Sequence, residues 1–281
     1  MSKKSTAFQR KFMSWMYRGK GIFNPLNTGW IDEHLACVRE WIANVFFYRK
    51  GDTVIMIDAG YHYERLEEKM GWLGLKPAQI SNVLLTHLDT DHTGAVEADG
   101  GGLFRNATVY LGEIENRYLT GERKRRVLYR LGSLPRVRIP NEKVLLRDGQ
   151  VFTIGDIQIE CFLVPGHTWG HMVYLLDGRY LLTGDAIWLG ADGGYSFLAS
   201  LAEDNRLAVR ALAEFEGKLR ARNLRSLVVT GHTGYSADLD FVFAHRDLCC
   251  KTSDKRCFNP AAPYDAYDES EDTEARAAVP L

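Results

Sequence analysis

The chain lacks the features that would commit it to a special environment. No uninterrupted apolar run approaches the roughly 18 residues of a membrane span, and the opening MSKKSTAFQRKFMSWMYRGKG has basic residues but no apolar block of secretory length. Cytoplasmic residence, with no membrane partner, is therefore the expectation. Neither sign of charge is in surplus: 35 Lys and Arg stand against 36 Asp and Glu. The molecule as a whole has no general attraction for nucleic acid, so a small-molecule substrate is expected instead. Cysteines are few and odd in number, Cys37, Cys161, Cys249, Cys250 and Cys257, with no C-x-x-C pair. That argues against a disulfide framework or a zinc ribbon and favours reduced thiols. No internal repeat recurs at a period of about 20 to 50 residues, which removes the solenoid classes.

What is present is an ordinary globular composition, 46% hydrophobic and 25% charged over 281 residues. Such a chain buries a core without needing a metal or disulfides to fold. The run CVREWIANVFFYRKGDTVIMIDAG reads as a hairpin around KGD that ends in a buried strand with Asp58 at its exit. YERLEEKMGWLGL has a helical period stopped at Gly74, NVLLTHL is a short buried strand, and ATVYLGEIENRYL repeats the strand-then-helix pattern. EDNRLAVRALAEFEGKLRARN is a helix with Leu207, Ala211, Phe215 and Leu219 on one face, followed by the strand SLVVT. The segment from 259 to 281 is acidic and aperiodic and reads as a tail, leaving 1–258 as the folded domain.

The chemistry concentrates in THLDTDHTG, residues 86–94, where His87, Asp89, Asp91 and His92 are separated only by small or apolar residues. An extended strand would point His87, Asp89 and Asp91 the same way before a turn at His92. Three later segments, CFLVPGHTWGH, YLLTGDAIW and SLVVTGHTG, each lead from a β-rich run into a turn bearing His167, Asp185 or His232. Gly166, Gly184 and Gly231 immediately before them suit tight backbone turns. Any one of these polar residues has an ordinary surface or capping role available; seven in one repeated context do not.

In order and spacing the pattern resembles the metallo-β-lactamase superfamily, from about Asn44 to Thr233: Asp58, then HLDTDH, GHTWGH, TGD and TGH. The resemblance implies an α+β fold, a four-layer αββα sandwich of two mixed β-sheets flanked by helices. It also implies two divalent metal ions, the first held by His87, Asp89 and His167 and the second by Asp91, His92 and His232, with Asp185 bridging. Asp58 would support the ligands from behind. His171 completes the signature as a structural or substrate-facing residue, whereas His34, His62 and His245 fall outside it. Asp89 departs from the pattern, since it replaces the usual second His by a harder, negative donor. Zinc is the first expectation for the metal, and the oxygen donor shifts preference toward iron or manganese. On that reading Asp89→His moves preference back to zinc without unfolding the chain. Flavodiiron reductases also have a carboxylate here, but they use Glu and carry a flavin domain for which fewer than about 50 residues after His232 leave no room.

A paired cation site acidifies water toward neutrality, so hydrolysis is the expected reaction, with Asp91 orienting the attacking hydroxide. Tyr195, in GADGGYSF, is a candidate donor to the developing oxyanion. Ligands alone do not choose a substrate. A small carboxylic ester, lactone or thioester ranks first and a phosphodiester or other phosphoryl group second; a di-iron redox protein and a non-catalytic binding protein follow. The run ERKRR at 122–126, with Arg130, Arg136 and Arg138, reads as a solvated helix face. If so, Arg125→Ala leaves metal content intact. The other reading is a cover or a set of cations for an anionic substrate.

Overall fold

Apolar residues alternate sides along the central strands, and both sides are buried, so each sheet needs a layer on either face. The computed structural model describes residues 23–61, 65–98 and 102–251. Its first sheet starts with β1 (Gly29–Trp30), β2 (Leu35–Glu40), β3 (Ala43–Lys50), β4 (Thr53–Ile57), β5 (Ile80–Leu84) and β6 (Thr108–Gly112). After a small ribbon of β7 (Arg126–Val127) and β8 (Gly132–Ser133), β9 (Lys143–Leu146) joins beside β6. Neighbours are antiparallel from β1 to β4 and parallel from β4 to β9, a mixed sheet.

The second mixed sheet takes β10 (Val151–Ile154), β11 (Ile157–Leu163), β12 (Met172–Leu176) and β13 (Tyr180–Leu182). The chain then leaves through β14 (Ile187–Gly190) and β15 (Gly193–Leu198) and returns as β16 (Leu227–Val229), parallel to β13, and β17 (Tyr235–Ser236). The last strand, β18 (His245–Cys250), pairs with β15 in a separate three-stranded sheet.

The layers follow from the alternation. On β3, Phe46 and Tyr48 face the second sheet, together with Ile55 and Ile57 of β4; from the other side come Ile157 and Ile159 of β11 and Tyr174 of β12. The intervening Val45, Phe47, Val54 and Met56 pack outward against Leu66 and Met70 of helix α1 (Leu66–Trp72). On the far side, Val173, Leu175 and Leu181 meet Ala211, Leu212, Phe215 and Leu219. Those four belong to the long helix α4 (Asn205–Ala221), which follows the short α2 (Thr90–Thr93) and α3 (Asn116–Thr120) and precedes α5 (Leu239–Val242). Helix, sheet, sheet, helix is the four-layer α+β architecture. Asp204 caps α4, its carboxylate accepting the Leu207 N–H at 2.9 Å.

Three local expectations need correcting. β5 stops at Leu84 and Thr90 opens a helical turn, so Asp91 does not continue the alternation of His87 and Asp89. The ERKRR run is not a helix face: it forms a loop leading into the β7–β8 ribbon, and Arg125 within it is 6% exposed. Cys37, Cys161 and Cys249 are free thiols, as expected, but Cys250 is disulfide-bonded. His62, Cys257 and the acidic tail lie outside the described residues. Among the described residues no helix is long and apolar enough to cross a membrane.

Candidate metal centre

Loops at one end of the two sheets bring all seven expected donors together. His87 and Asp89 lie on the extended chain after β5; Asp91 and His92 lie on the α2 turn. His167 follows β11, Asp185 follows β13 and His232 follows β16. His87, His167 and Asp185 offer one group of donor atoms within 4.8 Å of one another, and Asp91, His92 and His232 offer a second. Asp185 reaches both, with one oxygen 3.4 Å from His167 Nε2 and 3.4 Å from His232 Nε2.

Whether these residues suit a metal is decided by their protons. His92 Nδ1 donates to the Asp58 carboxylate at 2.9 Å, and His232 Nδ1 donates to the carbonyl of Ile42. Thr86 Oγ1 gives its proton to Asp58 and so accepts one from His87 Nδ1 at 3.0 Å. Each of these rings therefore presents a lone pair at Nε2. Yet the Nε2 atoms of His92 and His232 face each other at 3.2 Å, as do those of His87 and His167. The facing lone pairs of His92 and His232 repel, and an electrophile between them removes the conflict. One oxygen of Asp185 is also buried without a hydrogen bond. Burial opposes charge on the imidazoles, but Asp185, Asp58 and Asp91 push His92 well above its ordinary value, and Asp185 and Asp91 push His232 up to about 10. The cage thus calls for positive charge, and its nitrogen and oxygen donors fit a divalent cation.

Asp58 organises the cage. It takes φ 58°, a strained angle for a non-glycine residue, at the exit of β4. In that posture one oxygen also accepts the Thr86 N–H at 2.8 Å, so a single carboxylate orients His92 directly and His87 through Thr86. His171 does similar work for Asp185: its Nε2 accepts the Asp185 N–H at 3.1 Å. That is a structural role, and burial keeps the ring well below its ordinary pKa.

Asp89 sits at the first group, but both of its oxygens are taken by Arg125, Nε at 2.6 Å and Nη2 at 2.7 Å. Burial alone would raise this carboxyl; Arg125, His167 and His87 instead hold it well below the carboxylate range. The same Nη2 lies 3.1 Å from His167 Nε2. Burial and the guanidinium together push His167 down to about 4. Where a neutral imidazole would simply donate to a metal, this chain has a carboxylate with its own buried counter-cation. Sequence reasoning missed Arg125 because four neighbouring charges hid it; the one available signal was that an extra buried carboxylate at 89 requires a partner.

Two further buried carboxylates brace these loops. Glu115 accepts from the Leu88 N–H, Thr168 Oγ1 and the Gly170 N–H, and burial raises its carboxyl to about 7. Glu203 accepts from Tyr118 OH at 2.7 Å and from the Arg126 N–H. Neither was singled out in the sequence. Tyr195 OH donates to Asp192 at 2.9 Å and its ring stacks on His245 at 4.6 Å, so an oxyanion role would require that hydroxyl to leave Asp192. His34 bonds the carbonyl of Arg49, apart from the cage.

Comparison with known proteins places this cage in context. Solved structures with the same fold include a B3 metallo-beta-lactamase with an active-site glutamic acid, at TM-score 0.56 and 17% identity, covering 82% of this chain and 90% of that one. Another is a Cronobacter sakazakii metallo-beta-lactamase with a HARLDQ motif, at TM-score 0.54 and 19% identity, covering 75% and 80%. Among curated proteins, a probable polyketide biosynthesis zinc-dependent hydrolase of Bacillus velezensis is 28% identical over 56% of this chain and 59% of its own length. An atrochrysone carboxyl ACP thioesterase of Aspergillus fumigatus is 30% identical over 51% and 39%, and a hydroxyacylglutathione hydrolase of Gloeothece citriformis is 32% identical over 41% and 39%. The chain thus matches between about two fifths and three fifths of these relatives' length. The family model for the metallo-beta-lactamase superfamily matches residues 38–232, a span that begins before Asp58, takes in every donor of the cage and ends on His232. This chain belongs to the metallo-beta-lactamase superfamily.

Proposed function

We propose that the chain hydrolyses a small carboxylic ester, lactone or thioester, with thioesters favoured. The observation that carries metal-assisted hydrolysis is the approach of imidazole nitrogens to 3.2 Å, His92 to His232 and His87 to His167, among Asp91, Asp185 and Asp58. Two divalent cations, zinc before iron or manganese, would be held by His87, His167 and Asp185 and by Asp91, His92, His232 and Asp185. When bound, they supply Lewis acidity and a water acidified toward neutrality. The protein's own part is to hold that water and keep competing charge away. Asp91, the most accessible of the cage carboxylates, would orient that water. Asp58 and His171 fix the ligands, and Arg125 neutralises Asp89 so that its charge is not spent on the reacting centre. Names of relatives that act on thioesters support the substrate class.

Phosphoryl hydrolysis is the second reading, favoured by the cations of the 117–138 segment. The deciding experiment purifies the protein without added metal, measures its metals by elemental analysis and assays the same sample on lactone, thioester and phosphodiester panels. Metal-dependent turnover of a thioester or ester is expected. Undiminished turnover after chelation, or cleavage of phosphodiesters alone, would overturn the first reading.

A further inference from the structure

Several arginines elsewhere are paired: Arg65, Arg147, Arg179, Arg220 and Arg222 each face a carboxylate. The segment beside the cage is different. Among the described residues Arg117, Arg123, Lys124, Arg126, Arg130 and Arg136 form no side-chain ion pair, although the whole chain has a net charge of −1. They do not coat a convex face. They line two adjoining cavities, of about 330 Å³ and 630 Å³, that share Gly121, Arg123 and Lys124.

Both cavities are walled by residues next to the metal centre's side chains. The smaller is walled by Leu88, between His87 and Asp89, and by Arg125, which holds Asp89. The larger is walled by Trp169, two residues beyond His167, with the Arg123 guanidinium 4.8 Å above its ring. The acidic groups on these walls are mostly spoken for: Glu115 and Glu203 are buried and accept the hydrogen bonds given above, and Glu122 accepts from Thr120. The volumes suit a small-molecule arm rather than a macromolecular surface. Unpaired guanidinium and ammonium groups around a concave space match phosphate oxygens.

We propose that these cavities bind the phosphate-bearing arm of an acyl thioester whose acyl end lies in the cage. The reaction rests on the function proposed above; the anion site stands on the cavities alone. The test compares an acyl-coenzyme A, the S-acylglutathione and the S-acyl-N-acetylcysteamine with the same acyl group, in the wild type and in a variant carrying Arg123→Gln, Lys124→Gln and Arg136→Gln. All three positions are outside the cage. The wild type should show a KM for the coenzyme A ester at least tenfold below that for the neutral thioester, rising with ionic strength. The variant should lose this advantage without change in kcat or in the neutral substrate's KM. A preference for S-acylglutathione over the coenzyme A ester would overturn phosphate in favour of a carboxylate-bearing arm. Equal KM values for charged and neutral thioesters would overturn the anion site altogether. Calorimetry with desulfo-coenzyme A, which has the phosphates and no thiol, reads the site without turnover. Binding to the wild type and not to the variant supports the site even if no thioester is cleaved, whereas no binding overturns it even if thioesters are.

Discussion

At the scale of single residues, Arg125 balances the extra carboxylate beside the cage, since it bonds both oxygens of Asp89. Imidazoles and carboxylates are costly to bury, so their repeated placement before or after glycine at strand ends could be read directly from HLDTDH, GHTWGH, TGD and TGH. Arg125 could not, because nothing in ERKRR distinguishes the one guanidinium that turns inward. Its pairing with Asp89 revises two expectations. Asp89→His no longer reads as a neutral exchange of ligands, since it strands a buried guanidinium, and Arg125→Ala no longer reads as a surface change. Breaking a buried pair by removing one partner costs about 3–5 kcal/mol. Asp89→Asn and Arg125→Gln should each destabilise the fold by roughly that much, and the double variant by clearly less than the sum. Denaturant titration of the four proteins measures the coupling; additive losses would mean that the pair is not a unit. By contrast, His92→Ala should leave the fold largely intact and remove bound metal, as seen by elemental analysis.

At the scale of elements, the strands and helices came readily from periodicity, and the exceptions are instructive. The helix reading of EDNRLAVRALAEFEGKLRARN holds from Asn205 to Ala221, and Gly74 ends α1 in a left-handed conformation at φ 72°. The alternation expected through Asp91 fails because His92 must swing toward Asp58 and His232, and only the tighter rise of a helical turn puts adjacent residues 91 and 92 into the same group. The glycine argument holds for two of its three positions: Gly166 and Gly184 have φ 141° and 48°. Gly231 is glycine for another reason, since a Cβ there would stand 2.6 Å from an Asp185 oxygen and 2.9 Å from His92 Cε1. Gly231→Ala should therefore push on both ligands and weaken metal binding on the order of tenfold, with circular dichroism unchanged. A competition titration against a chelating dye gives the number, and an unaltered affinity would show that the cage yields more easily than its packing implies.

At the scale of the whole molecule, the four layers were expected from the resemblance, while the ties between the sheets were beyond sequence reasoning because their partners lie far apart in the chain. Tyr48 of β3 donates to Asp177 at 2.7 Å, in the turn between β12 and β13, and Lys50 reaches the same carboxylate at 2.9 Å. Burial would raise the Asp177 carboxyl, but these bonds and the Gln158 N–H hold it below 3.8. A carboxyl with a depressed folded-state pKa adds stability above its unfolded value of about 3.9, and that stability disappears as the pH falls through the folded value. Asp177→Asn should cost about 1–2 kcal/mol at pH 7, and its deficit against the wild type should shrink below about pH 4. Urea unfolding at both pH values checks the sign.

The donors of the cage are divided between the same two sheets: His87, Asp91 and His92 hang from the first, and His167, Asp185 and His232 from the second. An ion seated among them is a rivet through both plates as well as a reagent. Stripping it should speed amide hydrogen exchange across the sheet-to-sheet seam and lower the melting temperature. Refilling should reverse both, so that the occupancy of the cage and the chain's resistance to coming apart rise and fall together.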